Sequence, residues 1–301
     1  MPTLDLGLVK GAKGDQGVPG PAGEQGVQGL QGIPGKDALI NGVNTLTMKF
    51  EGGITGEQNN NVLTVKGAYG DNAGAHNAIY RGKFLGEAVT AEQYAAISAG
   101  TFEDLYIGDY WTIGDVNYRI AAFDYYWNTG STKCLTHHVV LVPDTALYTA
   151  RMNATATTEG GYTGSEMYLQ NLEEAKTIVK GAFPNHIMSH QLYLVSEVVD
   201  GYPASREWCE SEVDLMNEIM VYGSRIMSPM GDGTIVVNNR TVEKSQLPLF
   251  AHNHGLIGIG SNWRLRDVCS ASHFAFVTFN GLALANNAPD SSGVRPAFCI
   301  A

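Results

Sequence analysis

The stretch that decides the N-terminal architecture is Gly11–Asp37, which reads GAKGDQGVPGPAGEQGVQGLQGIPGKD. It holds nine Gly-X-Y triplets without a break. Only glycine fits at the crowded axis where three polyproline II strands wind together, so this period predicts a triple helix of three parallel, in-register copies of the chain. At about 3 Å per residue the helix would span roughly 80 Å and act as a spacer. The glycines predicted to lie on the trimer axis are Gly11, Gly14, Gly17, Gly20, Gly23, Gly26, Gly29, Gly32 and Gly35.

A disordered linker rich in glycine and glutamine is the alternative explanation for this stretch, but such linkers lack a strict glycine period. Only Pro19, Pro21 and Pro34 stiffen the X and Y positions, so nine triplets are marginal by themselves. The pair Lys13 and Asp15 resembles an interchain charge pairing of collagen-like sequences. We therefore expect downstream segments to hold most of the trimer together and to set its register.

Composition excludes several classes of function. The formal net charge is −11, with 19 basic and 30 acidic residues, which disfavours binding to nucleic acid or to an anionic membrane. No apolar run approaches the ~20 residues that span a bilayer, so no membrane insertion is expected. Residues 1–10 are too short and too acidic for a secretion signal. These features predict a soluble protein that folds in a cytosol.

The cysteines and histidines could bind a metal ion, but their spacing does not favour it. Cys134, Cys209, Cys269 and Cys299 lie far apart, and we interpret them as buried thiols, with a Cys269–Cys299 disulfide as the alternative. In the pairs His137-His138 and His252-Asn253-His254, we expect one histidine to be packed and its neighbour exposed. No metal and no cofactor are predicted, although three symmetry-related histidines could meet on a trimer axis.

Catalytic motifs are absent from the sequence: there is no GxSxG, no HExxH and no GxxxxGK[ST] pattern. The acidic groups Glu173-Glu174 and Glu210–Glu212 could supply the carboxylate pair of a glycoside hydrolase. Both groups lie on the polar faces of predicted helices, where solvated charge is the simpler explanation. The sequence therefore predicts no catalytic residue and no enzyme.

The pattern of residues predicts four successive regions. Residues 1–10 precede the collagen-like triple helix of residues 11–37. Residues 38–77 contain two short strand patterns, at 44–50 and at Val62–Val65, which predict a β-rich trimerisation collar in which three chains share strands. Residues 78–301 have the composition of one globular α+β domain.

Within residues 78–301 the sequence predicts alternating helices, hairpins and strands. The predicted helices are a short one capped by Thr90 and Gln93 and ended by Gly100, then Ser165–Gly181, then Arg206–Tyr222. The predicted hairpins turn at Gly114-Asp115, at Asn238-Asn239 and at Asn280-Gly281. The predicted single strands are Leu135–Val142 and the apolar C-terminal strand Val294–Ile300, which we expect in the middle of the fold.

Residues 273–292, HFAFVTFNGLALANNAPDSS, differ chemically from the rest of the chain. They mix aromatic side chains with Asn, Asp and Ser on a hairpin and loop, a mixture that supplies stacking faces and adaptable hydrogen bonds at recognition surfaces. An ordinary exposed hairpin is the alternative. The contact residues that we predict are His273, Phe274, Phe276, Thr278, Asn280, Asn286, Asn287, Asp290 and Ser291, whereas Leu282 and Leu284 have the character of scaffold.

Two flanking motifs resemble a known family. The segment W-x-L-R-D at Trp263–Asp267, paired with G-V-R-P-A-F at Gly293–Phe298, resembles the C-terminal module of many phage fibre proteins, which is related to the C-type lectin fold. The opening LDLGLVKGAKGDQG, residues 4–17, is similar to the virion-proximal end of collagen-stalked fibres. Other stretches that look like fibres of phages from Gram-positive gut bacteria are residues 100–130, 137–145, 157–167, 215–226 and 245–250.

The resemblance implies a homotrimeric virion fibre that folds in the host cytoplasm and is located on the phage head or tail. Residues 1–10 would attach to capsid or tail proteins, and the C-type lectin-like domain would bind a bacterial cell-surface glycan or protein. Such domains are also targets of diversity-generating retroelements, and residues 263–295 occupy the matching place. The calcium motifs EPN, QPD and WND are absent, so calcium-dependent sugar binding is not implied.

Three other functions remain open at this point. The first is a structural head decoration fibre without a dedicated receptor. The second is a polysaccharide depolymerase at the fibre tip, in which Glu173 and Glu210 would act. The third is a bacterial collagen-like adhesin, for which we expect an export signal and a wall-sorting tail that the sequence does not contain.

Overall fold

The computed structural model describes residues 54–59, 62–67, 70–230, 241 and 245–301. The chain forms two compact units, residues 1–66 and 67–301. Strands β1 (Ile54–Asn59) and β2 (Val62–Gly67) pair with each other in a two-stranded sheet, which confirms the strand predicted at Val62–Val65. The predicted triple helix, the strand at 44–50 and the hairpin at Asn238-Asn239 lie outside the described residues.

The C-terminal unit is an α+β fold, as predicted, and strands predominate in it. Its helices are α1 (Ala73–Asn77), α2 (Ala91–Ala99), α3 (Leu172–Ala182), α4 (Glu218–Tyr222) and α5 (Pro248–His252), with a π-helical turn at Met167–Asn171 and a 3-10 turn at His254–Leu256. Its first strands are β3 (Phe84–Gly86), β4 (Tyr110–Ile113), β5 (Val116–Phe123), β6 (Val139–Pro143) and β7 (Tyr148–Ala150). Its remaining strands are β8 (His190–Val199), β9 (Tyr202–Ser211), β10 (Val213–Leu215), β11 (Trp263–Val268), β12 (His273–Val277), β13 (Ala283–Asn287), β14 (Ser292–Val294) and β15 (Pro296–Ile300).

The C-terminal strand β15 lies inside the largest sheet. This sheet has six strands in the order β10-β15-β6-β5-β4-β3, and every residue of β15 is buried. β15 pairs antiparallel with β10 on one side and with β6 on the other. The prediction that the chain ends in the middle of the fold is therefore confirmed, and the hairpin predicted at Gly114-Asp115 is present between β4 and β5.

A second sheet has five strands in the order β13-β12-β11-β14-β7. It contains the first family-like motif, because β11 begins at Trp263, and the start of the second, because Gly293 and Val294 lie in β14. The rest of the second motif continues into β15 of the six-stranded sheet. β11 and β14 are parallel, whereas the other neighbouring pairs are antiparallel. β13 is an edge strand, and β12 lies one position inside the sheet.

Helix α2 has the ends that the sequence predicts. The Thr90 hydroxyl accepts the Gln93 backbone N–H at 3.2 Å, and the Gln93 side chain accepts the Thr90 N–H at 2.9 Å. Gly100 ends the helix with φ +72°, a left-handed conformation that glycine adopts without strain. The capping box and the C-terminal glycine are both local signals, and in α2 no distant contact overrides them.

The prediction of a helix at Arg206–Tyr222 is wrong for most of that range. Residues 202–211 form β9, which pairs with β8 in a two-stranded antiparallel sheet, and only Glu218–Tyr222 is helical. The turn between β8 and β9 is Asp200-Gly201, where both residues have positive φ, +51° and +84°. Asp-Gly is a strong signal for a tight hairpin, and it outweighs the helical spacing of apolar residues downstream.

The helix predicted at Ser165–Gly181 is present, but it begins with the π-helical turn at Met167–Asn171 and continues as α3. A π-turn inserts one residue relative to an α-helix, which rotates the following face. Leu169 lies within this turn and is out of register with the buried face of α3, so it is 59% exposed. Leu172 and Ala175, which helical spacing predicts on the same buried face as Leu169, are buried. The strand predicted at Leu135–Val142 starts later, at Val139, because His138 donates its backbone N–H to Asp124 rather than to a sheet.

The C-terminal unit includes residues 70–77, which the sequence pattern assigned to the end of the trimerisation collar. In α1, His76 is 4% exposed, and its Nδ1 lies 2.5 Å from the Leu105 carbonyl oxygen. The Asn77 amide accepts the Phe123 N–H and donates to the Phe123 carbonyl. Within the part of the chain that is described, no helix is long and apolar enough to cross a membrane.

Candidate functional site

The predicted recognition segment forms a hairpin at the edge of the five-stranded sheet. β12 and β13 pair from His273 opposite Asn287 to Val277 opposite Ala283. The two ends of this hairpin are separated by the length of β12, roughly 14 Å. We name residues 278–284 the hairpin tip, and we name residues 287–291, together with the neighbouring His273, the base loop.

Three of the predicted contact residues belong to the core and are withdrawn from the candidate surface. Phe274 is fully buried, and Phe276 and Thr278 are each 8% exposed. β12 is covered on both faces, so that alternate side chains are buried on either side of it. The Thr278 hydroxyl donates to the Asn280 side-chain oxygen at 2.5 Å and accepts the Leu282 N–H at 2.9 Å, so Thr278 builds the turn at the hairpin tip.

The other predicted residues divide between the two ends of the hairpin. Asn280 is exposed at the tip. At the base, Asn287, Asp290 and Ser291 are exposed, whereas His273 and Asn286 are half-buried. The His273 Nδ1 lies 2.9 Å from the Ser272 hydroxyl and 3.2 Å from the Ser270 hydroxyl. The structure therefore brings most of the remaining predicted residues together at the base loop.

A buried arginine fixes the backbone of the base loop. Arg264, on β11, is fully buried beneath the loop. Its guanidinium donates to the carbonyl oxygens of Asn286 at 3.4 Å, of Asn287 at 2.8 Å, and of Asp290. Burial lowers the pKa of Arg264 to about 10, and the nearby Asp290 opposes this effect. A side chain that remains charged at neutral pH thus holds three loop carbonyls from below.

The loop is also anchored through the backbone of Ala288. Its N–H donates to the Ser272 carbonyl at 3.0 Å, and its carbonyl accepts the N–H groups of Met152 at 2.9 Å and Asn153 at 3.1 Å. Ala288 itself is buried. The exposed side chains on either side of Ala288 are therefore presented by a backbone that is tied to two separate segments of the fold.

The residues that carry the family resemblance have scaffold roles. The Trp263 indole donates to the Ile257 carbonyl at 3.1 Å, and Arg266 donates to the Leu215 carbonyl at 2.7 Å. Arg295 is 1% exposed, lies against the rings of Trp263 and Phe250, and donates to the carbonyls of Pro143 and Leu256. These motifs therefore hold the sheet and the base loop rather than contact a ligand.

The hairpin tip presents an apolar surface that the sequence did not predict. Phe279 is 61% exposed, Leu282 is 58% exposed and Leu284 is 45% exposed. The prediction that Leu282 and Leu284 are scaffold is wrong, because Leu282 lies in the turn before β13 and Leu284 lies on the solvent-exposed face of β13. The alternation of side chains along β13 indicates that one face of the strand can be exposed. It does not indicate which of the two faces that is.

The two histidine pairs behave differently from each other. His138 is fully buried, as predicted for one member of the pair, while His137 is half-buried rather than exposed, with its Nδ1 2.7 Å from the Asp124 carboxylate. His252 and His254 are both exposed, so the corresponding prediction for that pair is wrong. No group of three potential metal ligands is found within residues 70–230 and 245–301.

The remaining candidate residues are dispersed over the fold. Glu173 lies on α3, where it pairs with Lys176, and Glu210 lies on β9, where it accepts hydrogen bonds from Ser189 and Gln191. The four cysteines are free thiols. Only Cys299 is fully buried; Cys134, Cys209 and Cys269 are half-buried, which corrects the prediction that all four are buried.

The base loop is thus the surface at which anchored backbone and exposed polar side chains coincide. Its Asn, Asp and Ser side chains offer hydrogen-bond donors and acceptors. No family model, no curated protein and no solved structure matches the chain.

Proposed function

We propose that this chain is the trimeric fibre of a phage virion, and that its C-terminal α+β unit is a C-type lectin-like domain that binds a glycan of the bacterial surface. The observation that carries the proposal is the unbroken run of nine Gly-X-Y triplets ahead of a compact unit. A three-chain spacer followed by a compact unit is suited to displaying that unit at a distance. Residues 1–10 attach the fibre to the virion.

The base loop supports the adhesive part of the proposal. Asn287, Asp290 and Ser291 carry an amide, a carboxylate and a hydroxyl, groups that pair with the hydroxyls of a sugar. Arg264 and the backbone of Ala288 hold the loop in place before any ligand arrives. Because a preformed loop loses little conformational entropy on binding, weak polar contacts contribute more of their free energy to affinity.

Three copies on one stalk make weak single sites useful. Once one C-terminal unit has bound, the second and third bind at a high effective concentration. Overall avidity then exceeds the single-site affinity by about 10²–10⁴. A fibre of this design needs no catalytic step.

Adsorption to bacteria tests the base loop directly. The double variant Asn287→Ala and Asp290→Ala should reduce binding of the full-length fibre to host cells at least about tenfold, because the loss repeats in all three copies. Its melting temperature should stay within about 2 °C of wild type, because both side chains are exposed. The measurements are cell adsorption and thermal unfolding.

The matched control is Asp115→Ala, which removes an exposed carboxylate from the turn between β4 and β5. It should leave both adsorption and melting unchanged. A double variant that melts early yet adsorbs normally would show that the base loop is structural and that the receptor binds elsewhere.

The triple helix is tested by one substitution at the trimer axis. Gly23→Asp places a side chain where three chains meet, so it should lower or abolish the thermal transition of the polyproline-type dichroism. Gln25→Asp introduces the same residue at an outward position of the same triplet and should be tolerated. Sedimentation of wild type as a monomer, without that dichroism, would contradict the proposed function.

A further inference from the structure

A second polar surface lies beside the base loop. It is an open cleft of about 590 Å³, and it is lined by the segment after β7 and by the π-helical turn. The lining includes Arg151, Thr157, Glu159, Glu166, Leu169 and Gln170. The cleft adjoins the base loop, because Asn153, another lining residue, donates its N–H to the carbonyl of Ala288.

We infer that this cleft binds an uncharged, hydroxyl-rich saccharide as a subsite next to the base loop. The inference rests on the proposed adhesive function, and it names the chemistry of the ligand. Three features of the cleft support this inference. They are a paired guanidinium and carboxylate, an exposed apolar side chain, and walls that side-chain and backbone hydrogen bonds hold in position.

The guanidinium and carboxylate present donors and acceptors side by side. The Arg151 Nε lies 3.1 Å from both carboxylate oxygens of Glu166, and Nη2 lies 3.1 Å from one of them. This pairing leaves Nη1 as a donor and leaves lone pairs on the carboxylate as acceptors. Neighbouring hydroxyls of a sugar ring need such adjacent donors and acceptors. The Gln170 amide is exposed and adds a further donor and acceptor.

The charge of the lining selects against anionic polymers. One guanidinium, Arg151, faces two carboxylates, Glu159 and Glu166, so the cleft is not a cationic site. The chain as a whole has a formal charge of −11, which repels polyanions at longer range. An uncharged saccharide avoids both penalties.

An apolar side chain supplies the remaining contact that a sugar ring needs. Leu169 is 59% exposed on the π-helical turn and lines the cleft. A sugar ring has an apolar C–H face as well as hydroxyl edges, so it can cover Leu169 while its edges reach Arg151 and Glu166. Burial of such area contributes about 25 cal/mol per Å². Leu169 is exposed because it lies in the π-helical turn, and π-helical turns are found frequently at functional sites.

The cleft walls are built before a ligand arrives. The Asn153 amide donates to the Thr157 carbonyl at 2.7 Å and accepts the Glu166 N–H at 2.9 Å, which ties the two walls together. Gly160 and Gly164 close a tight turn, with the Gly164 N–H 2.9 Å from the Gly160 carbonyl oxygen. A Cβ on Gly164 would lie 2.8 Å from that oxygen, so only glycine permits this wall.

The test is binding of the full-length trimeric chain to an immobilised panel of oligosaccharides. The panel contains uncharged gluco-, galacto- and manno-oligosaccharides, with uronate- and phosphate-bearing ones beside them. We expect binding to at least one uncharged member and none to the charged members. Glu166→Gln and Leu169→Ala should each weaken that binding at least about tenfold without changing the melting temperature.

Matched controls separate the cleft from general effects of substitution. Glu173→Gln removes an exposed carboxylate on α3 outside the cleft, and Leu135→Ala truncates a leucine that is 61% exposed elsewhere. Both should bind like wild type. Binding that is lost in Trp127→Ala and kept in Glu166→Gln would overturn the inference, because it places the ligand in the cleft of about 410 Å³ beside His137.

The two proposals fail in distinguishable ways. If wild type binds host cells and Glu166→Gln binds them equally well, the cleft is not a subsite, while the proposed function stands. Binding only to charged members of the panel, or to none, overturns the inference in the same way. If wild type binds no bacterial cell, the proposed function itself fails.

Discussion

Arg264→Met is expected to lower the free energy of unfolding of the C-terminal unit by about 3–5 kcal/mol and to release the base loop. The variant keeps most of the side-chain volume but removes the donors that hold the carbonyls of Asn286, Asn287 and Asp290. Hydrogen bonds to a charged group contribute about 1.5–3 kcal/mol each, and not all of that is lost because the loop carbonyls can turn to water. For a unit of this size the melting temperature should fall by roughly 10 °C.

The loop-specific part of this prediction is measured by hydrogen exchange and by adsorption. In Arg264→Met the N–H groups of Ala288 and Asp290 should exchange faster than in wild type, even where the variant remains folded. Adsorption should fall as well, since Asn287 and Asp290 lose their fixed positions. Arg264→Lys keeps a charge but cannot present a planar fork to several carbonyls, so it should fall between wild type and Arg264→Met.

Arg266→Met is the matched control, because it removes a second buried arginine from the same strand. Arg266 donates to the Leu215 carbonyl, away from the base loop. Arg266→Met should destabilise the unit while leaving exchange at Ala288 close to that of wild type at temperatures where it is folded. Equal exchange at Ala288 in the two variants would show that Arg264 supports the fold generally and does not position the loop.

The parts of the fold that the sequence predicted correctly depend on short-range chemistry. The capping box of Thr90 and Gln93, the glycine at position 100 and the hairpin around Asn280-Gly281 each depend on residues close in sequence. The connection of that hairpin is longer than the predicted two residues, because the strands stop pairing at Val277 and Ala283. The apolar strand at the C-terminus was also predictable, because a run of buried β-formers needs neighbours on both sides. Signals of this kind survive the packing of the rest of the chain.

The helix predicted at Arg206–Tyr222 failed because two patterns competed. Trp208, Val213, Met216, Ile219 and Met220 have helical spacing, yet the first of them lies in β9, where Trp208 packs beside Tyr193 of β8. The hairpin between β8 and β9 satisfies the backbone of both segments at once. The local Asp-Gly turn was the signal that could have decided between them.

The candidate site was predictable in position but not in detail. The motifs at Trp263–Asp267 and Gly293–Phe298 bracket the hairpin of β12 and β13, and Asn287, Asp290 and Ser291 are exposed there. Which residues of the hairpin are buried depends on the strand order, and strand order is set by pairings between distant segments. Phe274 is buried because its side chain belongs to the hydrophobic core of the unit, and no pattern within residues 273–292 encodes the distant segments that form that core.

Acid is expected to destabilise the C-terminal unit through His190. This side chain is 5% exposed, its ring centroid lies 4.0 Å from that of Tyr126, and neither ring nitrogen hydrogen-bonds to another described residue. Burial, together with repulsion from the nearby His138 and Arg266, lowers the pKa of His190 to about 3. The ring is therefore neutral in the folded protein over most of the acidic range.

The direction of this pH effect follows from the protonation of His190 in the folded and unfolded states. In the unfolded chain the pKa of His190 returns to about 6.5, so below that pH the unfolded chain takes up a proton that the folded protein does not. The free energy of unfolding should therefore decrease by about 1.4 kcal/mol per pH unit from pH 6.5 down to about pH 3. Above pH 6.5 both states are neutral, and His190 contributes no pH dependence.

Asp267 acts in the opposite direction, so the wild-type curve alone does not isolate His190. Burial raises the pKa of Asp267 to about 6, so between its unfolded value of 3.8 and about 6 the folded state holds the extra proton and acid stabilises it. The informative quantity is the difference between wild type and a variant that lacks the imidazole. In that difference the contribution of Asp267 cancels.

His190→Phe keeps a ring against Tyr126 and removes the titrating group, and His190→Gln is the second variant in case the larger ring does not pack. Relative to wild type, each variant should gain about 2 kcal/mol of stability between pH 7.5 and pH 5, measured by urea unfolding at fixed temperature. The control His254→Gln exchanges an exposed histidine and should follow the wild-type curve. Parallel pH curves for wild type and both His190 variants would mean that the ring finds a proton partner in the folded state, and that the acid sensitivity of this fold has another source.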